Sequence, residues 1–319
     1  MIKSKVADML GLQYPVFQGG MAWVATAELA SAVSNAGGLG IIGAGSMDGD
    51  ILIKEIRKAR ELTEKGKPFG VNLMLLNPFI DDLVDIVIKE KVDVVTTGAG
   101  NPGKYVDRFK EAGIKIFPIA PTVALAKRLE RLGVDGIIVE GGEAGGHVGE
   151  LTTIVLTPLI VDNVSLPVIA AGGIADGRGV VAALALGADL VQIGTRFVVA
   201  KECVVHENYK KAVIKADARD AVVSGRSTGH PVRCMKNKLT REFDKLEKAG
   251  APKEKLEELG TGKLRAAVID GDTNWGSVMM GQSAGLVRKE QSVKEIIEEI
   301  FQEAEEIIRK ILPDKLGNS

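Results

Sequence analysis

Aromatic residues are scarce in this chain of 319 residues, where Phe, Trp and Tyr together make up 4%. Hydrophobic residues still account for 45%, so the aliphatic side chains of Val, Ile, Leu and Ala must build most of the core. Aliphatic runs are typical of parallel sheets that helices cover on both faces. The composition therefore favours an α/β protein with a buried sheet.

Cysteine is nearly absent too. Cys203 and Cys234 lack the spacing of a zinc site, and they form no disulfide framework, which favours a reducing cytosol. The chain has no run of about 20 apolar residues that could span a bilayer, and its first residues lack the apolar core of a signal peptide. The formal net charge of -1 creates no overall field that would attract nucleic acid. We therefore expect a soluble, cytoplasmic protein.

What the chain does contain is one repeated pattern, in which a short apolar run precedes an amphipathic stretch of helix length. Eight runs have strand character: 14–19, 38–43, 69–75, 92–98, 114–120, 134–141, 166–173 and 188–195. Helical stretches lie between them at 26–36, 50–65, 79–90, 102–112, 122–132 and 176–186. Eight strand–helix units in about 200 residues predict a closed (β/α)8 TIM barrel, with an open doubly wound sheet as the alternative.

The repeat ends near residue 203. The segment 204–274 shows no strand pattern, and its stretches at 208–223 and 237–260 have helical character. We therefore predict a barrel over 1–203, a small helical insert over 204–274 that serves the substrate or a partner, and a return segment over 275–319. Apolar residues at helical spacing near the C-terminus predict a late helix that packs on the barrel.

Glycine follows almost every predicted strand, at the end where a barrel of this kind builds its active site. The loops "AAGGI" and "IGTRF" follow strands seven and eight, where such barrels commonly bind phosphate. The backbone amides of Gly172, Gly173, Gly194 and Thr195 are candidate donors. The alternative is that these glycines only form tight turns. The "GLGIIG" match at 38–43 follows a helix instead of a strand, so it does not indicate a dinucleotide site.

His147 lies in the loop "EAGGHVGE" after the sixth strand. Five glycines over 141–149 suggest a loop left open to a bulky ligand, since packing does not explain them. No second His or Cys lies nearby for a metal, and no nucleophile elbow is present. The remaining functional role is a proton or hydrogen-bond donor beside a phosphate-bearing cofactor, and the alternative is a structural histidine. His206 and His230 are interpreted as structural.

These motifs carry a family resemblance. "EGGEAGGHVG", "AAGGIADGRG", "QIGTRF" and "GQSAGLV" resemble the FMN-dependent nitronate monooxygenase superfamily over nearly the whole chain. Within it, "QGGMAWV", "CMKNKLTREF" and Glu140 resemble the flavin-dependent enoyl-acyl-carrier-protein reductases of type II. Nitronate-oxidising members usually carry Gln at the position of Glu140.

The resemblance implies a role for each candidate residue. The FMN phosphate would be held by Gly172, Gly173, Gly194 and Thr195. The flavin ring and ribityl chain would be surrounded by Met21, Ala22, Asn72, Glu140, Gln282 and Ser283. For Asn72 the alternative is a structural hydrogen bond at a strand end, and for Gln282 it is the start of a helix.

The implied reaction is the last step of bacterial fatty-acid elongation. NADH or NADPH would reduce FMN, and a hydride would then pass to the β-carbon of a trans-2-enoyl thioester while His147 serves the thioester oxygen or the α-carbon. Rival functions are a nitronate monooxygenase with His147 as base, a quinone-type flavin oxidoreductase and a flavin-binding protein without catalysis. The resemblance also implies a homodimer and, in some members, help from a monovalent cation.

Acyl carrier protein is the expected partner, and it is acidic as a class. The stretch 226–248 holds seven basic residues against three acidic ones, an excess of four positive charges. It could dock the carrier, or it could be an ordinary solvated helical surface.

Overall fold

A computed structural model of the chain describes residues 2–315 and residue 317. Each of the eight apolar runs forms a strand. In chain order the first nine strands are Val16–Gln18 (β1), Gly40–Gly43 (β2), Phe69–Met74 (β3), Val94–Gly98 (β4), Lys115–Pro118 (β5), Ile137–Glu140 (β6), Gly146–His147 (β7), Val168–Ala171 (β8) and Leu190–Ile193 (β9). All of them except the short β7 belong to one parallel system.

The parallel strands close into a barrel. One hydrogen-bonded sheet has the order β2-β3-β4-β5 and another has the order β1-β9-β8-β6. A parallel bridge from Phe17 to Leu39 joins β1 to β2, and a bridge from Ile119 to Ile138 joins β5 to β6. These two joints complete the ring, which confirms the predicted TIM barrel and excludes the open doubly wound sheet.

One helix precedes the first strand, and the others follow the strands around the ring. They are Lys5–Leu10 (α1), Ala27–Asn35 (α2), Gly49–Leu62 (α3), Ile80–Lys89 (α4), Val106–Glu111 (α5), Val123–Leu132 (α6), Thr153–Val161 (α7), Gly177–Ala185 (α8) and Thr195–Val198 (α9). Helix α3 shows why these segments fold as they do. Its cap Asp48 accepts a hydrogen bond from the Ile51 amide, and Leu52, Ile56 and Ala59 are buried at helical spacing.

The barrel interior is filled by a separate cluster of side chains from the strands. Phe17, Ile41, Val94, Phe117, Ile138, Ile169 and Leu190 are all fully buried within it. Phe17 and Phe117 meet edge to face, with ring centroids 5.5 Å apart. Val6 of α1 joins the cluster, and Ser4 donates to Asp189 at 2.6 Å, so α1 closes the amino-terminal end of the barrel. A ligand site must therefore lie at the other end.

The segment 204–274 differs from the prediction. It contains the helices Glu207–Lys215 (α10), Lys238–Lys248 (α11), Lys253–Gly260 (α12) and Lys263–Ile269 (α13), and also the strands Ala221–Ser224 (β10) and Val232–Met235 (β11). These strands form an antiparallel sheet of order β10-β11-β7. The expectation of no strand is wrong, and the helix expected over 208–223 ends at Lys215. The strands were missed because their pairing joins them to a distant loop.

The return segment ends in the helix Val293–Glu306 (α14), followed by a π turn over Ile307–Ile311 and the helix Leu312–Lys315 (α15). Ser292 and Glu295 form a capping box at the start of α14, whose apolar face packs against α8 and α2. One buried cluster runs from Val16 through Tyr209 to Ile297. Because it crosses all three segments, their division at 203 and 274 stays a prediction. Within the described part of the chain, no helix has the length and apolar character needed to cross a membrane.

Candidate active site

Polar side chains line the barrel interior at the carboxyl ends of its strands. Side chains alternate along a strand, so residues two positions after the inward-facing Val94, Ile138 and Leu190 also face inward. Asn72 of β3 lies opposite Thr96 of β4, so its side chain points in the same direction as that of Thr96. The inward-facing polar residues at this end are Asn72, Thr96, Glu140 and Gln192. Together they make a polar layer above an apolar core.

Asn72 combines a structural bond with a place in this layer. Its Nδ2 donates to Thr96 Oγ1 at 2.9 Å, which is the structural hydrogen bond considered as the alternative. A Cβ on Gly20 would lie 2.2 Å from the Asn72 Cβ, so the backbone of the loop after β1 rests directly on this side chain. Asn72 therefore supports the loop that carries Met21 and Ala22.

Glu140 stands at the end of β6 with no hydrogen bond to its carboxyl group from any described residue. Burial raises its pKa to about 7. Near neutral pH a large fraction of the carboxyl is therefore protonated, and a protonated carboxyl can donate a hydrogen bond. In that form it resembles a Gln side chain, which also donates hydrogen bonds and carries no charge.

Gln192 belongs to the same layer and was missed from the sequence. Its side chain is only 7% exposed, and no hydrogen bond reaches it from the residues that the structure describes. A Cβ on Gly19 would lie 3.5 Å from its Cγ, Cδ and Nε2, so it lies against the loop after β1. A polar residue inside the apolar run "ADLVQIG" was the available signal, as it was for Asn72. The amide of this buried residue has no protein partner among the described residues and is therefore available to a ligand.

The two predicted phosphate loops leave neighbouring strands, β8 and β9. Gly172 and Gly173 have φ angles of 94° and 75°, which residues other than glycine rarely adopt, so they do form a tight turn. A Cβ on Gly194 would meet only the Sδ of Met21, at 3.6 Å, so the space beside Gly194 is open. Thr195 Oγ1 accepts a hydrogen bond from the Gly281 amide at 2.9 Å. The Thr195 hydroxyl thus ties its loop to the return segment.

Close packing requires glycine at two positions of the His147 loop, which could not be predicted from the sequence. A Cβ on Gly141 would lie 2.1 Å from Thr153 Oγ1, and one on Gly145 would lie 2.6 Å from the carbonyl carbon of Met280. The Gln282 amide donates to the Glu143 carbonyl at 2.9 Å along the same contact. The prediction that packing does not explain these glycines is therefore wrong for Gly141 and Gly145, because two stretches of backbone touch there.

His147 is held in strand β7, opposite Val232 of β11. Its side chain is exposed, and its ring centroid lies 6.5 Å from that of His230, with the planes nearly perpendicular. Although the residue as a whole is exposed, its ring is partly withdrawn from water, and this desolvation, followed by the charge of His230, lowers the pKa of His147. His230 therefore lies beside His147, and its interpretation as a structural residue stays a prediction. His206 is structural, since its Nδ1 accepts the Asn208 amide at the start of α10.

The return segment supplies the last two candidates. Gln282 begins the 3₁₀ turn Gln282–Leu286, and its side chain is exposed. Ser283 beside it is buried. The hydrogen bonds of Gly281 to Thr195 and of Gln282 to Glu143 place this turn between the phosphate loops and the His147 loop. The structure thus brings all the candidate residues to the carboxyl end of the barrel.

The basic stretch 226–248 is less uniform than its composition suggests. Arg233 turns inward and binds backbone carbonyls. Lys245 pairs with Glu242 and Lys248 with Asp244, at 3.5 and 2.7 Å. Four cations are exposed and, within residues 2–315 and 317, form no ion pair: Arg226, Lys236, Lys238 and Arg241. The excess positive charge at the surface of this stretch therefore comes from these four side chains.

Comparison with known proteins places this arrangement in a family. Residues 3–84 and 77–303 match the sequence profile of nitronate monooxygenase. The chain belongs to the nitronate monooxygenase family. A probable nitronate monooxygenase of Staphylococcus saprophyticus is 34% identical over 97% of this chain and 99% of its own length.

Two further relatives bear on the branch within the family. FabK from Thermotoga maritima is 49% identical, with a TM-score of 0.95 over 98% of this chain and 99% of its own. This match confirms the resemblance to the enoyl-acyl-carrier-protein reductases of type II. The (3aS,4S,5R,7aS)-5-hydroxy-7a-methyl-1-oxo-octahydro-1H-indene-4-carboxyl-CoA dehydrogenase of Mycobacterium tuberculosis is 33% identical over 95% of this chain and 96% of its length.

Proposed function

We propose that this protein reduces trans-2-enoyl groups carried as thioesters by acyl carrier protein, with FMN as cofactor and NADH or NADPH as hydride donor. The observation that carries the proposal is the 49% identity to FabK across nearly the whole of both chains. A relative named as a carboxyl-CoA dehydrogenase supports a thioester as the substrate class.

The barrel mouth fits FMN on its own chemistry. Glu140 and Gln192 present a carboxyl and an amide that no described residue satisfies, and both suit the polar edge of a flavin. The open space beside Gly194 and the tight turn of the half-buried Gly172 and Gly173 suit a phosphate. When bound, FMN would supply the hydride transfer between the nicotinamide and the β-carbon of the enoyl group.

The chain's own residues would bind the cofactor, orient the thioester substrate and polarise its carbonyl group. Glu140, when protonated, donates a hydrogen bond into the barrel mouth. The lowered pKa keeps the His147 imidazole mostly neutral near pH 7. A neutral imidazole still donates one N–H hydrogen bond, whereas giving up that proton would leave an unfavourable anion. We therefore assign to His147 a hydrogen bond to the thioester oxygen, where negative charge develops, and solvent water would supply the proton that the α-carbon gains.

Nitronate oxidation is the second candidate, and the curated relative from Staphylococcus saprophyticus favours it. With a neutral nitroalkane as the substrate, the neutral His147 would act as the base that removes the α-proton and so forms the nitronate. Enoyl-dependent oxidation of NADH, measured beside nitronate-dependent uptake of oxygen, separates the two functions. The proposal requires the first activity to exceed the second, and the reverse order would overturn it.

Acyl carrier protein would dock on the four exposed cations, which attract an acidic partner and mainly affect its association rate. The double change Lys236→Glu and Arg241→Glu should raise KM for carrier-bound substrate at low salt and leave kcat for crotonyl-coenzyme A unchanged. An unchanged KM for carrier-bound substrate would exclude this face. A cytoplasmic homodimer and assistance by a monovalent cation stay predictions.

A further inference from the structure

A cavity of about 210 Å³ lies between the sheet β10-β11-β7 and the helices α11, α12 and α13. Its wall on the sheet side includes Ser224, Val232 and Cys234, and its wall on the helix side includes Leu256. His230 also contributes to its lining. It is separate from the polar layer of the barrel mouth, and none of the roles derived above uses it.

The register of the sheet places His147 on the cavity's side. Val232 lies directly opposite His147 on one flank and opposite Ser224 on the other. Residues opposite each other in an antiparallel pair project to the same face, and so does Cys234, two residues after Val232. His147 therefore projects from the face that forms the cavity wall. Arg233, between Val232 and Cys234, projects from the other face.

The lining fits an alkyl chain. Cys234, Leu239 and Leu256 are 1% to 2% exposed, and Val232, Phe243, Leu264 and Met279 complete an apolar surface. The one carboxylate on it, Glu257, is exposed and pairs with Lys253 at 3.3 Å. Among the residues that the structure describes, no Lys or Arg lines the cavity, so it is unsuited to the phosphates of a nicotinamide cofactor. A cavity of about 150 Å³ with aliphatic walls holds benzene, so this one has room for a longer hydrocarbon.

We propose that this cavity binds the acyl tail of the thioester substrate and sets the chain-length preference of the enzyme. The inference rests on the proposed function, since it assigns a place to that substrate's tail beside His147. Each buried methylene improves affinity roughly fourfold. Affinity should therefore rise with acyl length until the cavity is filled and then level off.

Two substitutions fill the cavity from opposite walls. Leu256→Trp adds bulk from α12, and Cys234→Leu adds it from β11. Leu259→Trp is the matched control, because Leu259 lies on the same helix and does not line the cavity. With coenzyme A thioesters, both filling variants should raise KM for 2-decenoyl substrate roughly tenfold or more and leave kcat/KM for crotonyl substrate within about twofold. Equal losses on both substrates, or an equal effect of Leu259→Trp, would overturn the proposal.

Binding of saturated acyl-coenzyme A tests the pocket without turnover. Stabilisation of the flavin-loaded protein against heat should increase from butyryl- to decanoyl-coenzyme A in the wild type and in Leu259→Trp. This increase should be absent in Leu256→Trp and Cys234→Leu. If these variants lose the increase in stabilisation while the wild type reduces no enoyl thioester, the acyl pocket is supported and the proposed reaction is excluded. If the wild type reduces enoyl thioesters but the variants retain the increase, the pocket fails alone.

Discussion

The guanidinium group of Arg233 holds the backbone carbonyl of Gly142 with two hydrogen bonds, of 3.0 Å from Nε and 2.8 Å from Nη2. Its Nη1 donates to the Ala221 carbonyl at 2.7 Å. One side chain thus ties the start of the His147 loop to β10, while β11 pairs with His147 itself. The position of the imidazole depends on a residue that lies far from it in the sequence.

Replacing Arg233 with Met should therefore loosen the His147 loop. Loss of the charged hydrogen bonds should lower the free energy of unfolding by roughly 2 kcal/mol and reduce kcat for enoyl substrate, while flavin content stays unchanged. Arg233→Lys should recover only part of kcat, because an ammonium cannot form the two-pronged contact. Arg226→Met removes an exposed arginine of the same stretch and serves as the control when a coenzyme A thioester, which needs no carrier docking, is the substrate. Full activity in Arg233→Met would show that the loop is held by other contacts.

His147→Ala should retain its flavin, because His147 lies on β7 and outside the predicted phosphate loops. Turnover of enoyl substrate should fall by roughly 10²- to 10³-fold, the typical effect of removing a hydrogen-bond donor at a developing negative charge. The rate of flavin reduction by NADH, followed by stopped-flow absorbance, should stay close to that of the wild type. Turnover near the wild-type value would remove His147 from the mechanism.

Glu140 predicts a pH-dependent stability. Its pKa rises to about 7 by burial, so the folded protein keeps a proton that the unfolded chain releases above about pH 4.5. The protonated Glu140 therefore contributes to the free energy of unfolding. This contribution is fully present below about pH 4.5 and is lost as the pH rises through about 7. Glu140→Gln cannot ionise, so the flavin-free variant should gain stability relative to wild type between about pH 5 and 8, by up to about 3 kcal/mol. Thermal unfolding curves with a constant difference across this range would contradict the account.

Gly194 gives the cleanest test of the phosphate site. Its backbone is not left-handed, and a Cβ there meets only Met21 Sδ, so Gly194→Ala should fold and keep its flavin. Gly194→Glu places a carboxylate next to the predicted phosphate and should lose most of the flavin, measured by absorbance per protein after purification. The same change at Gly173 is less informative, because its φ of 75° makes any side chain unfavourable. Normal flavin content in Gly194→Glu would mean that the phosphate lies elsewhere.

The barrel could be predicted because its pattern is local: each apolar run and the helix after it are adjacent in the sequence. Strand β11 was not predicted because its partner is the loop around His147. A four-residue strand gains its stability from that distant pairing. Gly145 must be glycine because the backbone at Met280 lies against it. This contact joins distant parts of the chain, so the local sequence does not predict it. Gln192 is a different case, since one polar residue in an apolar run has the same appearance whether it binds a ligand or another side chain.

The proposed reduction of enoyl thioesters is tested most directly with the flavin-loaded protein under anaerobic conditions. The bound flavin is reduced with one equivalent of NADH, and a trans-2-enoyl thioester is then added in the absence of oxygen. We expect the visible absorbance of oxidised flavin to return rapidly and the saturated thioester to appear in equal amount, whereas a nitronate added instead should have no such effect. Flavin that stays reduced with the enoyl thioester and is reoxidised only when oxygen is admitted would contradict it.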